Sequence, residues 1–129
     1  MGLARREHGL SRFAGIPFDE HHAEQSFRKF IDDMASAVFV SERGFIGGMV
    51  QPMVFSRLWN AYELAWFAQD GSGMALLEAF TKWARSMRAV SLVVHCYSGI
   101  VPVEKFNKVM GRRGFENLGS SYSKSLGAI

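Results

Sequence analysis

The chain has 129 residues, of which 48% are apolar and 21% charged; this suits one domain with one core and excludes a disordered or low-complexity chain. Fifteen basic residues against twelve acidic ones leave a net charge of +3, a mild bias toward anionic ligands that is too small to point to nucleic acid. The single cysteine, Cys96, excludes an internal disulfide, and no apolar run reaches a bilayer-spanning length; with no apolar stretch of a signal peptide in residues 1–13, the expectation is a soluble cytoplasmic protein without a membrane partner.

Residues 1–18 carry the breakers Gly2, Gly9, Gly15 and Pro17 and are expected to form an irregular N-terminal arm, followed by one domain over 19–129. Asp19 has the chemistry of a helix N-cap. Ala23, Phe27, Phe30, Ile31, Met34 and Val38 then recur at helical spacing, which predicts an amphipathic helix over about 20–36. Val38–Ser41 reads as a short strand and Arg43-Gly44 as a turn. Phe45–Phe55 reads as a second strand in which Gly47-Gly48 and Pro52 mark a bulge or an end.

After a connection over Ser56–Asn60, Tyr62–Ala68 is a third strand, apolar on both faces except at Glu63. Gln69–Gly73 forms a glycine turn. Leu76, Leu77, Phe80, Trp83, Ala84 and Met87 then place one apolar face on a helix over about 74–88. Val90–Cys96 reads as a strand that pairs parallel to Tyr62–Ala68 through a right-handed crossover. Ser98-Gly99 breaks it, and Pro102 opens a helix over about 103–112 that Gly114 stops. Phe115–Leu126 contains two short strand candidates around Gly119, a terminal hairpin.

The chemically informative stretch is strand, Gly71-Ser72-Gly73, helix. Glycine lets the backbone turn sharply and approach a ligand. The first N–H groups of the helix lack internal partners and, with the helix dipole, favour a pyrophosphate; a tight turn that merely needs glycine is the plainer reading of the motif alone. Leu76 stands where a dinucleotide fingerprint would need its third glycine, and no Gly-Lys-Ser/Thr follows, so neither nucleotide motif is present.

Gly47–Ser56, Tyr62–Ala68, Gly73–Arg85, Arg113–Glu116 and Tyr122–Leu126, in this order over roughly 20–126, resemble the GNAT N-acetyltransferase family, in particular its small phage-encoded versions. The resemblance implies an α/β (α+β) fold, a mixed central sheet flanked by helices, here without an evident first strand. It implies acetyl-CoA as co-substrate and an amine as acceptor. Trp66, Phe67 and Ala68 would offer main chain to pantetheine; Gln69, Gly71, Ser72, Gly73 and Met74 would surround the pyrophosphate, and Glu63 matches the family's general base. A carboxylate that takes the amine's proton, directly or through water, and donors aimed at the thioester oxygen suffice for the transfer.

The cofactor loop is shorter than the family's and lacks its arginine, Asp70 adds a negative charge there, and Met110 replaces a tyrosine that often serves as general acid, leaving Tyr97 or Tyr122 as substitutes. The alternative is therefore a GNAT-fold protein without catalysis, a binding or structural component such as one of a phage particle, with a protein partner or a second copy as its contact. The remaining residues have plain readings. Glu63 could equally be an exposed carboxylate or half of an ion pair. Cys96 is a buried inert thiol, His95 a satisfied polar residue or a proton carrier, and His21-His22 diverge on a helix and make no zinc site. Trp59, Trp66 and Trp83 read as core or interface anchors, and Arg112-Arg113 answer a helix C-terminus or reach a phosphate.

Overall fold

The computed structural model describes residues 1–10, 15–95, 102–119 and 121–127. Its elements run α1 (Gly2–Leu10), α2 (Glu20–Asp32), β1 (Ser36–Ser41), β2 (Gly44–Pro52), β3 (Trp59–Ala68), α3 (Gly73–Ser86), β4 (Ala89–Val93) and α4 (Val103–Arg112). The four strands form one mixed sheet in the order β1-β2-β3-β4; β1, β2 and β3 are antiparallel neighbours and β4 joins β3 in parallel, the crossover being α3.

The helices cover both faces because adjacent residues of a strand point to opposite sides. On one side Ile46 and Val50 of β2 and Ala61 of β3 pack against Leu76, Leu77, Phe80 and Ala84 of α3 and Met110 of α4. On the other, Phe45, paired across the sheet with Phe67, meets Phe27 of α2 edge-on at 5.6 Å. Phe80 is fully buried; its removal would cost about 3–5 kcal/mol, so α3 is fixed to the sheet by its apolar stripe.

Several expected boundaries move, each for a local reason. Helix α2 begins at the anticipated cap, where Asp19 Oδ1 accepts the His22 N–H at 2.9 Å, but it ends at Asp32 rather than 36. Asp33 Oδ1 accepts the Ala35 N–H at 2.9 Å and turns the chain into β1, so Met34 projects into solvent, 89% exposed. Strand β2 stops at Pro52, which has no N–H for the ladder, and Val54 and Phe55 lie outside it, exposed.

Two expectations fail outright. The N-terminal segment is not irregular: Gly2–Leu10 is helical, with its glycines near the ends. It is held by Arg5–Glu20 at 2.7 Å, by the Arg5 guanidinium 4.7 Å from the centre of the Phe18 ring, and by Arg6 Nη1 donating to Gln69 Oε1 at 2.8 Å. Among the described residues the terminal hairpin is not seen: 115–119 and 121–127 contain no strand, and Leu118, Tyr122 and Leu126 are exposed, so their apolar pattern finds no sheet face there. Cys96, Tyr97 and Ser98-Gly99 lie outside the described residues.

Candidate active site where β3 and β4 part

The site begins with a bulge. In the pairing of β2 with β3, Gly47 faces Ala65 and Gly48 faces Glu63, so Leu64 is an extra residue on β3. Gly48 is required for this. A Cβ there would stand 2.1 Å from the Tyr62 carbonyl oxygen, 2.6 Å from Phe80 Cζ and 3.0 Å from Glu63 Cα. The bulge breaks the strand's alternation: Leu64 is 44% exposed, whereas Glu63, the residue that looked out of place on an apolar strand, is 1% exposed. Neither an exposed carboxylate nor an ion pair describes it.

The parallel pairing of β3 with β4 ends just short of Glu63, at Tyr62 opposite Val93. Among the described residues, no strand pairs with the β4-side edge of β3 from Glu63 to Ala68. At the point of separation the His95 N–H donates to Glu63 Oε1 at 3.1 Å, and His95 Nδ1 lies 3.2 Å from the Glu63 carbonyl oxygen. Glu63 Oε2 is buried without a hydrogen-bond partner. Burial pushes the Glu63 carboxyl up to about 7; the His95 N–H opposes this and the Glu7 carboxylate of α1 adds to it.

Glu7 is a member of the site that sequence reasoning missed. Burial raises its own pKa, and the backbone N–H of Trp66 lowers it, so the Glu7 carboxylate lies against the open edge of β3. The only signal for it in the sequence was an acid four residues after Leu3 in a segment read as irregular. With the Trp66 N–H turned to the open edge, alternation turns Ala68 the same way and directs the main chain of Phe67, itself buried, into the β2 ladder. The Trp66 indole donates to the Gly73 carbonyl at 3.2 Å and meets Phe106 of α4 at 5.9 Å, tying the start of α3 to the cleft.

The glycine turn joins the end of β3 to the start of α3. Gly71 has φ +76°, a conformation that favours glycine. The Gln69 N–H is used by the Arg43 carbonyl at 2.9 Å and its side chain by Arg6. Asp70 points toward the β1–β2 turn: Oδ2 accepts from the Arg43 N–H at 2.9 Å and from Ser41 Oγ at 3.0 Å, while Oδ1 accepts from the Ser72 N–H at 3.1 Å and from Ser72 Oγ. These donors, Ser72 foremost, hold the Asp70 carboxyl well below the usual carboxylate range. The Ser72 N–H is thus committed within the chain. Ser72 makes no side-chain cap on α3, whose first turn supplies the N–H groups of Gly73 and Met74.

Of the sequence-derived residues, Glu63, Trp66 and Ala68 lie on β3 past the end of its pairing with β4, and Gly73 at the start of α3 has Trp66 and Ala68 beside it. Met110 is buried in the core, 5% exposed, and cannot transfer a proton; Tyr122 is 93% exposed, and Tyr97 lies outside the described residues. Arg113 pairs with Glu78 at 2.8 Å and joins α4 to α3. Among the described residues no cluster of His, Cys, Asp or Glu could hold a metal ion, and no helix is long and apolar enough to cross a membrane.

A bulged β3 whose parallel ladder with β4 stops at Tyr62, joined to β4 by the crossover helix α3, is part of a GNAT fold, as the solved structures resembling this chain show. It aligns with glucosamine-6-phosphate N-acetyltransferase from Arabidopsis thaliana at TM-score 0.64 and 12% identity, over 98% of this chain and 95% of that one. AAC(6')-Iy, solved with the bisubstrate analogue CoA-S-monomethyl-acetylneamine, aligns at TM-score 0.67 and 16% identity over 98% and 91% of the two chains. A GNAT family acetyltransferase of Staphylococcus aureus aligns at 0.60 and 14% over 96% and 91%. The sequence matches no protein-family profile and no curated protein. At these identities the likeness is one of fold.

Proposed function

We propose that this protein transfers an acyl group, acetyl in the simplest case, from acetyl-CoA to an amine, with Glu63 as general base. The observation that carries this is the buried Glu63 carboxyl, raised to about 7, with Oε2 unpartnered where β3 and β4 separate. A base poised near neutrality can take a proton from an ammonium and release it again. The amine then attacks the thioester carbonyl, the C–S bond breaks, and CoA leaves as the thiol; one proton per turnover is left for solvent through Glu63. The N–H groups of Gly73 and Met74, with the α3 dipole, favour the CoA pyrophosphate. The main chain of Trp66 and Ala68 faces the edge along which pantetheine would lie, and there an incoming acyl group competes with Glu7 for the Trp66 N–H.

The test is calorimetric titration with acetyl-CoA, followed by turnover with a panel of amines. Gly73 is the discriminating position. A side chain there meets Trp66 and Ala68 at an ordinary 3.8 Å, and an acid in the first turn suits a helix, so Gly73→Asp should fold normally yet repel a diphosphate. Micromolar binding lost in Gly73→Asp, and turnover lowered roughly 10²-fold in Glu63→Gln, are the expected results. A parent protein that takes up no acetyl-CoA at millimolar concentration would refute the proposal.

A second reading, a GNAT-fold binding or structural protein without catalysis, is favoured by one set of observations: Ser72 N–H and Trp66 N–H already face carboxylates of the chain itself. Val54 and Phe55, 89% and 99% exposed beside β2, would then serve contact with a protein partner. Stable co-purification with one protein, without CoA affinity, would be its signature.

A further inference from the structure

We propose that His95 is a positioning residue for Glu63, joining main chain and ring to it so that β3 and β4 part at this point and Oε2 is the oxygen left to take a proton. This rests on the reading of Glu63 as the base, and the geometry specifies more than that reading needs. Past Tyr62 and Val93 the main-chain ladder stops. The next donor on the β4 side, the His95 N–H, goes to the Glu63 side chain, and the Glu63 carbonyl is met by the imidazole instead. Each strand thus contacts the other through one side chain and one main-chain group, which holds them together while ending the ladder.

The arrangement also orders the two carboxylate oxygens and the imidazole tautomer. A carbonyl oxygen only accepts, so Nδ1 carries the proton in that contact. Oε1 is occupied by an N–H, which favours its anionic form, while Oε2 is buried without a hydrogen-bond partner and is the better proton acceptor. Among the described residues the other titratable group acting on Glu63 is Glu7 of α1, whose charge acts in the opposite sense to the His95 N–H.

The test reads Glu63 directly and needs no cofactor: a carbon-13 NMR titration of the Glu63 carboxyl in the full chain, assigned with Glu63→Gln. In the parent protein the His95 amide proton should shift with the Glu63 midpoint; an amide that ignores that titration overturns the proposal without any variant. In His95→Leu the lost ring contact releases the N–H, and the midpoint should rise by roughly one unit. In His95→Asn, whose side-chain amide can replace Nδ1–H, it should return toward the parent value. A folded His95→Leu protein with an unchanged midpoint also overturns it. With acetyl-CoA turnover, the same pattern should appear as an alkaline shift of the kcat profile with KM for acetyl-CoA unchanged. Loss of the base role alone would show instead as Glu63→Gln retaining full turnover while the NMR shifts persist.

Discussion

Replacing Gly48 with alanine should be the most damaging one-carbon change in the sheet. The added methyl would lie 2.1 Å from the Tyr62 carbonyl oxygen and 2.6 Å from Phe80 Cζ, more than 1 Å inside the ordinary contact distance to the first. Neither neighbour can give way cheaply, since one is main chain in the bulge and the other a fully buried ring. Overpacking costs about 1–3 kcal/mol where side chains can shift, so the upper limit, about 3 kcal/mol, is the expectation here. For a domain of this size that corresponds to a fall in Tm of roughly 10–15 °C. The neighbouring Gly47 is the control: a Cβ there meets Val38 Cγ2 at 3.4 Å and the Ala37 carbonyl oxygen at 3.6 Å, so Gly47→Ala should shift Tm by only about 2 °C either way. Thermal unfolding of both variants by circular dichroism decides it. Equal Tm values for the two would refute the argument that the close approach of β3 to β2 fixes the bulge.

Glu63 should make stability depend on pH in a recognisable direction. Its folded pKa of about 7 lies above the ordinary 4.5, so the folded chain binds the extra proton and stability falls as pH rises through that window, by about 3 kcal/mol in all. Urea unfolding at pH 5 and pH 8 should show this fall in the parent and its absence in Glu63→Gln. Asp70→Asn should lower Tm at pH 7. Because the Asp70 carboxyl is held below its ordinary 3.8, its contribution is present above that value and lost as pH falls beneath it, so the two Tm curves should converge in strong acid. Glu7→Gln should lower the Glu63 titration midpoint in the NMR experiment by removing a like charge; a midpoint that rises would mean Glu7 is not facing Glu63.

Much of this architecture is legible from periodicity. Leu76, Leu77, Phe80 and Ala84 give α3 within two residues at either end, because one helix face carries the core. The parallel partner of β3 follows from the strand–helix–strand order alone. What escapes the pattern has physical causes that no local window contains. Helix α1 has no buried residue, so it shows no apolar stripe; Arg5, Arg6 and Glu7 find partners up to 63 residues away. The doublet Gly47-Gly48 signals a bulge, but not that the extra residue lies on the partner strand. That displacement is what buries Glu63 and exposes Leu64. The last strand candidates, around Tyr122 and Leu126, have strand-like composition without a sheet edge to receive them in the described residues.

The carboxylate of Asp70 gives the glycine turn its shape before any ligand arrives. By accepting from Ser72, Ser41 and Arg43 it ties the turn to the β1–β2 hairpin, so the chain between Gln69 and Gly73 is ordered in advance. A phosphate binder whose loop must fold around its anion loses conformational entropy at that moment; a loop already closed on an internal anion does not. One donor is given up in exchange, so if the turn receives the CoA phosphates as proposed, the expected balance is a weaker but less temperature-dependent grip than an open loop of the same length would have.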